Sequence, residues 1–358
     1  MPQSWSDQRI EQADLAACRK RLCGGSRSFF AASWLLPSRI VGPASALYAF
    51  CRVADDAIDQ SRDQHAALTE LRERLHLIYR GAPQGRSEDR AFARVVEQYQ
   101  IPRALPEALL EGFEWDASDR RYQTFAELNA YAARVAGTVG AMMTILMGVR
   151  EADALARACD LGVAMQLTNI ARDVGEDARA GRIYLPLDWL RQAGVDPDAW
   201  LAGPSFTPPV GSVVRRLLRR ADVLYRRADA GIGQLPGKCR PGIRAARHLY
   251  AGIGHRLVEQ GLDSVSSRTV VPPAVKARLL MRSLAPRSAQ ECTRPPLPQT
   301  RFLVDSVTAR ANRMAAPVAI GGRMTWLIEL VDRLERRDRD LDLQIMGSQG
   351  AKAPLSRI

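Results

Sequence analysis

Residues 164–177 read AMQLTNIARDVGED, and residues 47–59 read LYAFCRVADDAID. Both are apolar helical patterns interrupted by acids. At about 100° per residue, Tyr48, Arg52, Asp55 and Asp59 fall within a sector roughly 60° wide. Asp55 and Asp59, four residues apart, stack one turn above the other. Asp56 points elsewhere on the same helix. In the second segment Gln166, Asn169, Asp173 and Asp177 share one stripe, with Arg172 beside it.

Such stripes suit a hard divalent cation. Mg²⁺ takes oxygen ligands, keeps several waters, and is typically held by a few carboxylates together with substrate phosphates. Two facing helices carrying carboxylate and amide oxygens would clamp such ions around a diphosphate, whose departure the ions assist as Lewis acids. A single DxxxD reads more simply as a wet helix face paired with arginine. Two stripes embedded in apolar sequence do not, because core-facing carboxylates are costly without a cation.

The rest of the chain is consistent with this reading. It has 358 residues, 46% of them hydrophobic, enough for a substantial core. With 51 Lys+Arg against 39 Asp+Glu the formal charge is +12, which favours anionic partners: diphosphates, acidic headgroups or nucleic acid. Only 6% of residues are aromatic and the acids line up instead, so a basic nucleic-acid- or lipid-binding helical protein is the weaker non-enzyme reading. Six scattered cysteines form no CxxC pair, hence neither a zinc site nor a disulfide framework. Cys51 and Cys159 read as small buried hydrophobes. The polar start, MPQSWSDQRIEQAD, shows no signal peptide. The nearly apolar run 135–149 is shorter than the roughly 20 residues of a spanning helix, and its Gly137 and Gly140 suit a buried, bent helix.

Helical periodicity dominates, with no series of alternating strands. Helices are expected at about 11–22, 38–60, 63–80, 88–100, 103–117, 124–148, 151–177, 186–193, 211–235, 239–263 and 270–284. Ser26-Arg27-Ser28 reads as a loop, and Arg215-Arg216, Arg219-Arg220 and Arg226-Arg227 as a solvated basic face. Pro286 to Pro298 reads as a linker, followed by one amphipathic helix carrying Trp326, Leu327, Leu330, Val331 and Leu334. The expected organisation is one helical domain over 1–285 and a C-terminal extension over 286–358.

The segments YAFCRVADDAID (48–59) and MQLTNIARDVGEDARAGRIYLP (165–186) resemble the squalene/phytoene synthase family, particularly its bacterial phytoene-forming members. Supporting stretches are GGSRSF (24–29), YAARVAGTVGAMM (131–143) and RPGIRAARHLY (240–250), and the match spans about residues 10–285. The resemblance implies the all-α isoprenoid synthase fold around a central cavity. It assigns Asp55, Asp59, Asn169, Asp173 and Asp177 to Mg²⁺–diphosphate binding, with Mn²⁺ as the alternative ion. The four aspartates, Arg52 and Tyr48 would carry catalysis. Ser26, Arg27, Ser28, Tyr48, Arg52, Gln166, Arg172, Tyr250 and Arg268 would contact diphosphates or order the site. Val135, Val139 and Gly140 would line the isoprenoid pocket. Gly25 departs from relatives that carry His there.

The implied reaction joins two geranylgeranyl diphosphates head to head, through a cyclopropyl diphosphate, and ends by proton loss without NADPH. Alternatives are a sister enzyme acting on farnesyl diphosphate (a presqualene diphosphate, squalene or diapophytoene synthase) and a single-substrate terpene cyclase, which paired stripes of this form disfavour. Expected partners are prenyl diphosphates, with peripheral contact on the inner membrane from the cytoplasm and hand-off to a phytoene desaturase, and no nucleic acid.

Overall fold

The computed structural model describes residues 2–285, 292 and 294–315. All regular structure among them is helical. The helices are α1 (Pro2–Gly25), α2 (Arg27–Ser33), α3 (Ser38–Asp59), α4 (Gln64–Tyr79), α5 (Ser87–Tyr99), α6 (Ala104–Ala117), α7 (Phe125–Ala132), α8 (Thr138–Leu146), α9 (Ala152–Arg179), α10 (Leu187–Gln192), α11 (Pro197–Ala202), α12 (Pro208–Ile232), α13 (Arg240–Glu259), α14 (Pro273–Leu284) and α15 (Arg301–Ala315). One π-helical turn, Ala133–Gly137, joins α7 to α8 without a break, and a 3₁₀ turn, Pro298–Thr300, leads into α15.

Side-chain caps start several helices by satisfying their free N–H groups. Asp63 accepts from Ala66 N–H, Thr207 from Val210 N–H and Asp196 from Ala199 N–H. Thr124 caps α7, while Glu127 reaches back to the Gln123 N–H, a reciprocal cap. The bent helix expected over 124–148 is α7, the π turn and α8. The π turn places one more residue in the loop of the hydrogen bond, and Val135 within it and Val139 just after it line the central cavity.

The 28-residue α9, about 42 Å long, is the axis of the fold. Its buried residues from Ala154 to Ala178 cover most of its circumference, and α8, the π turn, α12 and α13 pack around it. The α8–α9 approach is close. A Cβ on Gly140 would stand 2.3 Å from the Ala158 carbonyl oxygen, and one on Gly162 2.2 Å from that of Ala136.

Four expectations change. Ser26-Arg27-Ser28 is not a loop: Ser26 caps α2 by accepting from Phe29 N–H, and the following residues begin the helix. Two helices, the six-residue α11 and the fifteen-residue α15, are additional to those expected. Arg227 is not solvated but turns inward onto buried Asp160 at 2.9 Å, while Arg216 stacks over Trp189. The first compact unit is Met1–Arg310, so the boundary expected at 285 falls inside it. Leu303, Val304 and Val307 of α15 are buried, and the carbonyls of Arg294 and Pro295 accept from Arg157 and Arg227. The amphipathic helix expected around Trp326 lies outside the described residues. No helix among the described residues is long and apolar enough to cross a membrane.

Candidate active site

A cavity of about 290 Å³ runs between α2, α3, the π turn with α8, α9, α12 and α13. Val135, Val139, Gly140, Met143 and Met165 line it, with Leu47, Leu161, Ile232 and Ile243. Tyr48, Gln166, Asn169 and Tyr250 stand where its wall turns polar. Beyond them, about two turns further along α3 and one turn further along α9, come the first carboxylates, Asp55 and Asp173. Cys51 also lines the cavity, and burial pushes its thiol up to about 12, so it is an inert small hydrophobe.

The two stripes face each other. Arg182, in the turn after α9, donates to Asp59 on α3 at 3.2 Å, and its charge also acts on Asp55. Arg52 forks to Asp55 at 3.1 Å and Asp56 at 2.7 Å. Arg172 donates through Nε to Asp173 at 2.7 Å, and Arg268 reaches the same carboxylate at 2.9 Å and Glu176 at 3.4 Å. Every arginine assigned by resemblance whose side chain is described is therefore paired with an acid. The Arg27 side chain lies outside the described residues. Ser26 hydrogen-bonds Tyr250, whose hydroxyl burial pushes up to about 12, and Phe29 packs between Tyr250 and Tyr48. Ser28 lies half-buried in the first turn of α2.

The arginines do not neutralise the site fully. Burial, then the neighbouring Asp59, raises Asp55 to about 6, while Arg52 pulls it down. Burial, then Asp173, raises Asp177 to about 7. The site thus holds carboxylates that resist ionising together, an arrangement a cation relieves. The Asn169 Oδ1 is buried and has no hydrogen-bond partner, which is costly unless a ligand supplies one. Among the described residues no three His, Cys, Asp or Glu side chains converge to hold an ion unaided. This donor set fits Mg²⁺ in its usual manner: one or two carboxylates per ion, the remaining positions going to water and diphosphate oxygens.

Several contributors are not apparent from the stripes. Arg182 belongs to the RIYLP stretch, yet only the fold shows it spanning to Asp59. Asp116 of α6 accepts from Tyr131 at 2.8 Å and Tyr184 at 2.7 Å, and burial raises its carboxyl to about 7. Tyr122 joins these two tyrosines in a stack behind the acidic mouth. At the far end, Arg157 lines an otherwise apolar stretch and is tied to buried Asp160 at 3.3 Å. A charged residue inside an apolar helical pattern was its available signal. Gly25, the departure from some relatives, has a local reason: a Cβ there would stand 2.3 Å from the Tyr48 hydroxyl, so Tyr48 occupies space that a side chain would claim.

An all-helical barrel with an apolar interior and facing carboxylate stripes at one end defines a synthase that handles an isoprenoid chain carrying a diphosphate. Residues 22–276 match the squalene/phytoene synthase family, and the chain belongs to it. It is 49% identical over 359 residues to the phytoene synthase of Cereibacter sphaeroides, covering 95% of this chain and 99% of that one. It is also 49% identical to the phytoene synthase of Rhodobacter capsulatus, over 93% of this chain and 99% of that one. Among solved structures, a dehydrosqualene synthase in complex with a ligand superposes with a TM-score of 0.70 at 31% identity, covering 77% of this chain and 96% of that chain.

Proposed function

We propose that the chain is a phytoene synthase, which condenses two geranylgeranyl diphosphates head to head. The observation that carries the reading is the apolar cavity opening onto two facing acidic stripes, with the Asn169 Oδ1 left for a ligand. Near-full-length similarity to two phytoene synthases supports the choice of product.

Asp55, Asp59, Asn169, Asp173 and Asp177 would hold Mg²⁺, which when bound supplies Lewis-acid neutralisation of the departing diphosphate. Arg52, Arg172, Arg182 and Arg268 now pair with those acids. With those carboxylates occupied, the four guanidinium groups would be available to donate to diphosphate oxygens, which accept planar, bidentate donors. Ser26, Tyr48 and Tyr250 bind or order the diphosphate end, and Val135, Val139 and Gly140 seat the hydrocarbon. The reaction then runs as two ionisations. Loss of diphosphate from one substrate gives an allylic cation, captured by the second substrate's double bond to form the cyclopropyl diphosphate. That species ionises, rearranges and loses a proton. The apolar walls keep water from the cations. The hydrocarbon product implies peripheral membrane contact from the cytoplasm and hand-off to a desaturase.

The test supplies pure full-length protein and Mg²⁺ with geranylgeranyl or farnesyl diphosphate and identifies the products. The expected result is a C40 hydrocarbon, with kcat/KM at least about tenfold above that for the shorter chain, as extra buried methylenes allow. Preference for farnesyl diphosphate would favour the second reading, a dehydrosqualene-type synthase, which the solved relative at 31% identity supports.

A further inference from the structure

We infer that the segment 298–307, which lies beyond the family match, braces the isoprenoid pocket, with Leu303 and Phe302 as positioning residues that act on the hydrocarbon through the π turn Ala133–Gly137. The inference rests on the reading of the substrate as a prenyl diphosphate, whatever its chain length.

The π turn has two faces. Val135 and Ala136 line the cavity, whereas Arg134 and Gly137 meet groups outside it. The guanidinium of Arg134 stands over the Trp115 ring at 4.3 Å and over the Phe302 ring at 5.2 Å, and it pairs with Glu111 at 2.9 Å. A Cβ on Gly137 would stand 3.4 Å from the Leu303 Cδ1 and 3.7 Å from Val163 of α9. Leu303 is fully buried, so it fills the space behind the turn. The 3₁₀ turn before α15 touches α7, the π turn and α9. Upstream, Arg157, which lines the cavity, and Arg227 donate to the carbonyls of Arg294 at 3.0 Å and Pro295 at 2.7 Å. The C-terminal segment therefore reaches the back of the cavity wall at two places.

A π turn is an uncommon conformation that its surroundings must hold. Here its closing bond runs from Thr138 N–H to the Ala133 carbonyl. On one side α6 presses on it, since a Cβ on Gly112 would stand 2.6 Å from the Val135 Cγ1. On another, Ala136 meets Gly162 of α9. The third support is α15, and the family match ends at residue 276, so this support is an addition to the shared fold. Gly162 lies one turn before Gln166 and about 10 Å along α9 from Asn169, where the wall is polar. A farnesyl or geranylgeranyl chain whose diphosphate sits at the stripes passes this level with its first units. A wall that moves back here loses contact with the hydrocarbon while the diphosphate end stays as it was.

Steady-state kinetics with Mg²⁺ and either prenyl diphosphate compare wild type with Leu303→Ala, Leu303→Met, Phe302→Ala and Leu71→Ala. Leu71 is a core residue of α4 that does not line the cavity, and its variant controls for loss of stability alone. Leu303→Ala is expected to raise KM about tenfold or more, the scale of a lost contact in a hydrophobic pocket. Its kcat should stay within about threefold, because the contact is made equally in the ground and transition states. Leu303→Met, close in volume, restores KM. Phe302 is exposed, so Phe302→Ala leaves the core closed, and it raises KM in the same sense. Leu71→Ala leaves KM unchanged, and inhibition by inorganic diphosphate is the same in all. Amide exchange of residues 134–138, read by mass spectrometry, quickens in Leu303→Ala and Phe302→Ala but not in Leu71→Ala. Unchanged KM in both α15 variants, or an equal rise in Leu71→Ala, overturns the proposal. Should Leu303→Ala fail to fold, Phe302→Ala decides alone. Wild type that turns over neither prenyl diphosphate sinks the enzymatic reading, while faster exchange confined to the π turn would still support the brace.

Discussion

Asp55 and Asp59 share Arg52 and Arg182 with their surroundings, and Asp56 shares Arg52 with Asp55, so adjacent acids differ in what they face rather than in being paired. Asp59→Asn and Asp173→Asn are expected to lower kcat by about 10²-fold or more, as for loss of one preorganised electrostatic partner. Helix content by circular dichroism should be retained. Asp56→Asn should stay within several-fold, and equal losses in all three would contradict the facing of the stripes. Asp116 gives a pH test independent of the metal. Its carboxyl is raised from 3.8 to about 7, chiefly by burial against the hydrogen bonds from Tyr184 and Tyr131. Between those values the folded chain binds more protons than the unfolded one, so this group's contribution to stability falls as pH rises and levels off above about 7. Asparagine does not titrate. With chelator present, the Tm of Asp116→Asn relative to wild type should therefore rise from pH 4.5 to 7, read by calorimetry; a flat or falling difference contradicts the burial. The stripes were legible because i, i+4 spacing is local. Asp116 was not, because its partners lie 15 and 68 residues away.

At the level of helices, most periodic segments were legible, the six-residue α10 among them, whereas α2, α11 and α15 were not. The seven-residue α2 follows two glycines and offers too few turns for a pattern, so only the Ser26 cap and its docking against α13 make it a helix. Periodicity also cannot reveal a π turn, because one inserted residue leaves the flanking apolar pattern almost unchanged. Gly140 was expected in the pocket lining and is there, yet packing is an equal reason for a glycine at that position. With Gly162, which meets Ala136, it lets α9 touch α8 and the π turn backbone to backbone. Gly162→Ala should cost about 1–3 kcal/mol, the range for overpacking a tight interior, because its neighbour is a carbonyl that cannot rotate away. Urea denaturation measures it, and an unchanged midpoint would mean the two helices part freely.

For the whole molecule, the change in composition near 286 marked a linker but not the end of the packed unit. Pro-rich sequence looked like a boundary, whereas its carbonyls satisfy buried Arg157 and Arg227 and its continuation buries Leu303, Val304 and Val307. A chain ending at 288 should lose at least about 4 kcal/mol relative to one ending at 315, from three buried aliphatic side chains alone. Equal stability of the two truncations would restore the boundary near 286. The division between an acidic mouth and an apolar interior also bears on how the reaction ends. The most direct test is the product formed from geranylgeranyl diphosphate and Mg²⁺ by the full-length protein, with and without NADPH. Phytoene at the same rate in both is the expected result. A cyclopropyl diphosphate that accumulates until NADPH converts it to a reduced hydrocarbon would contradict the proposed activity.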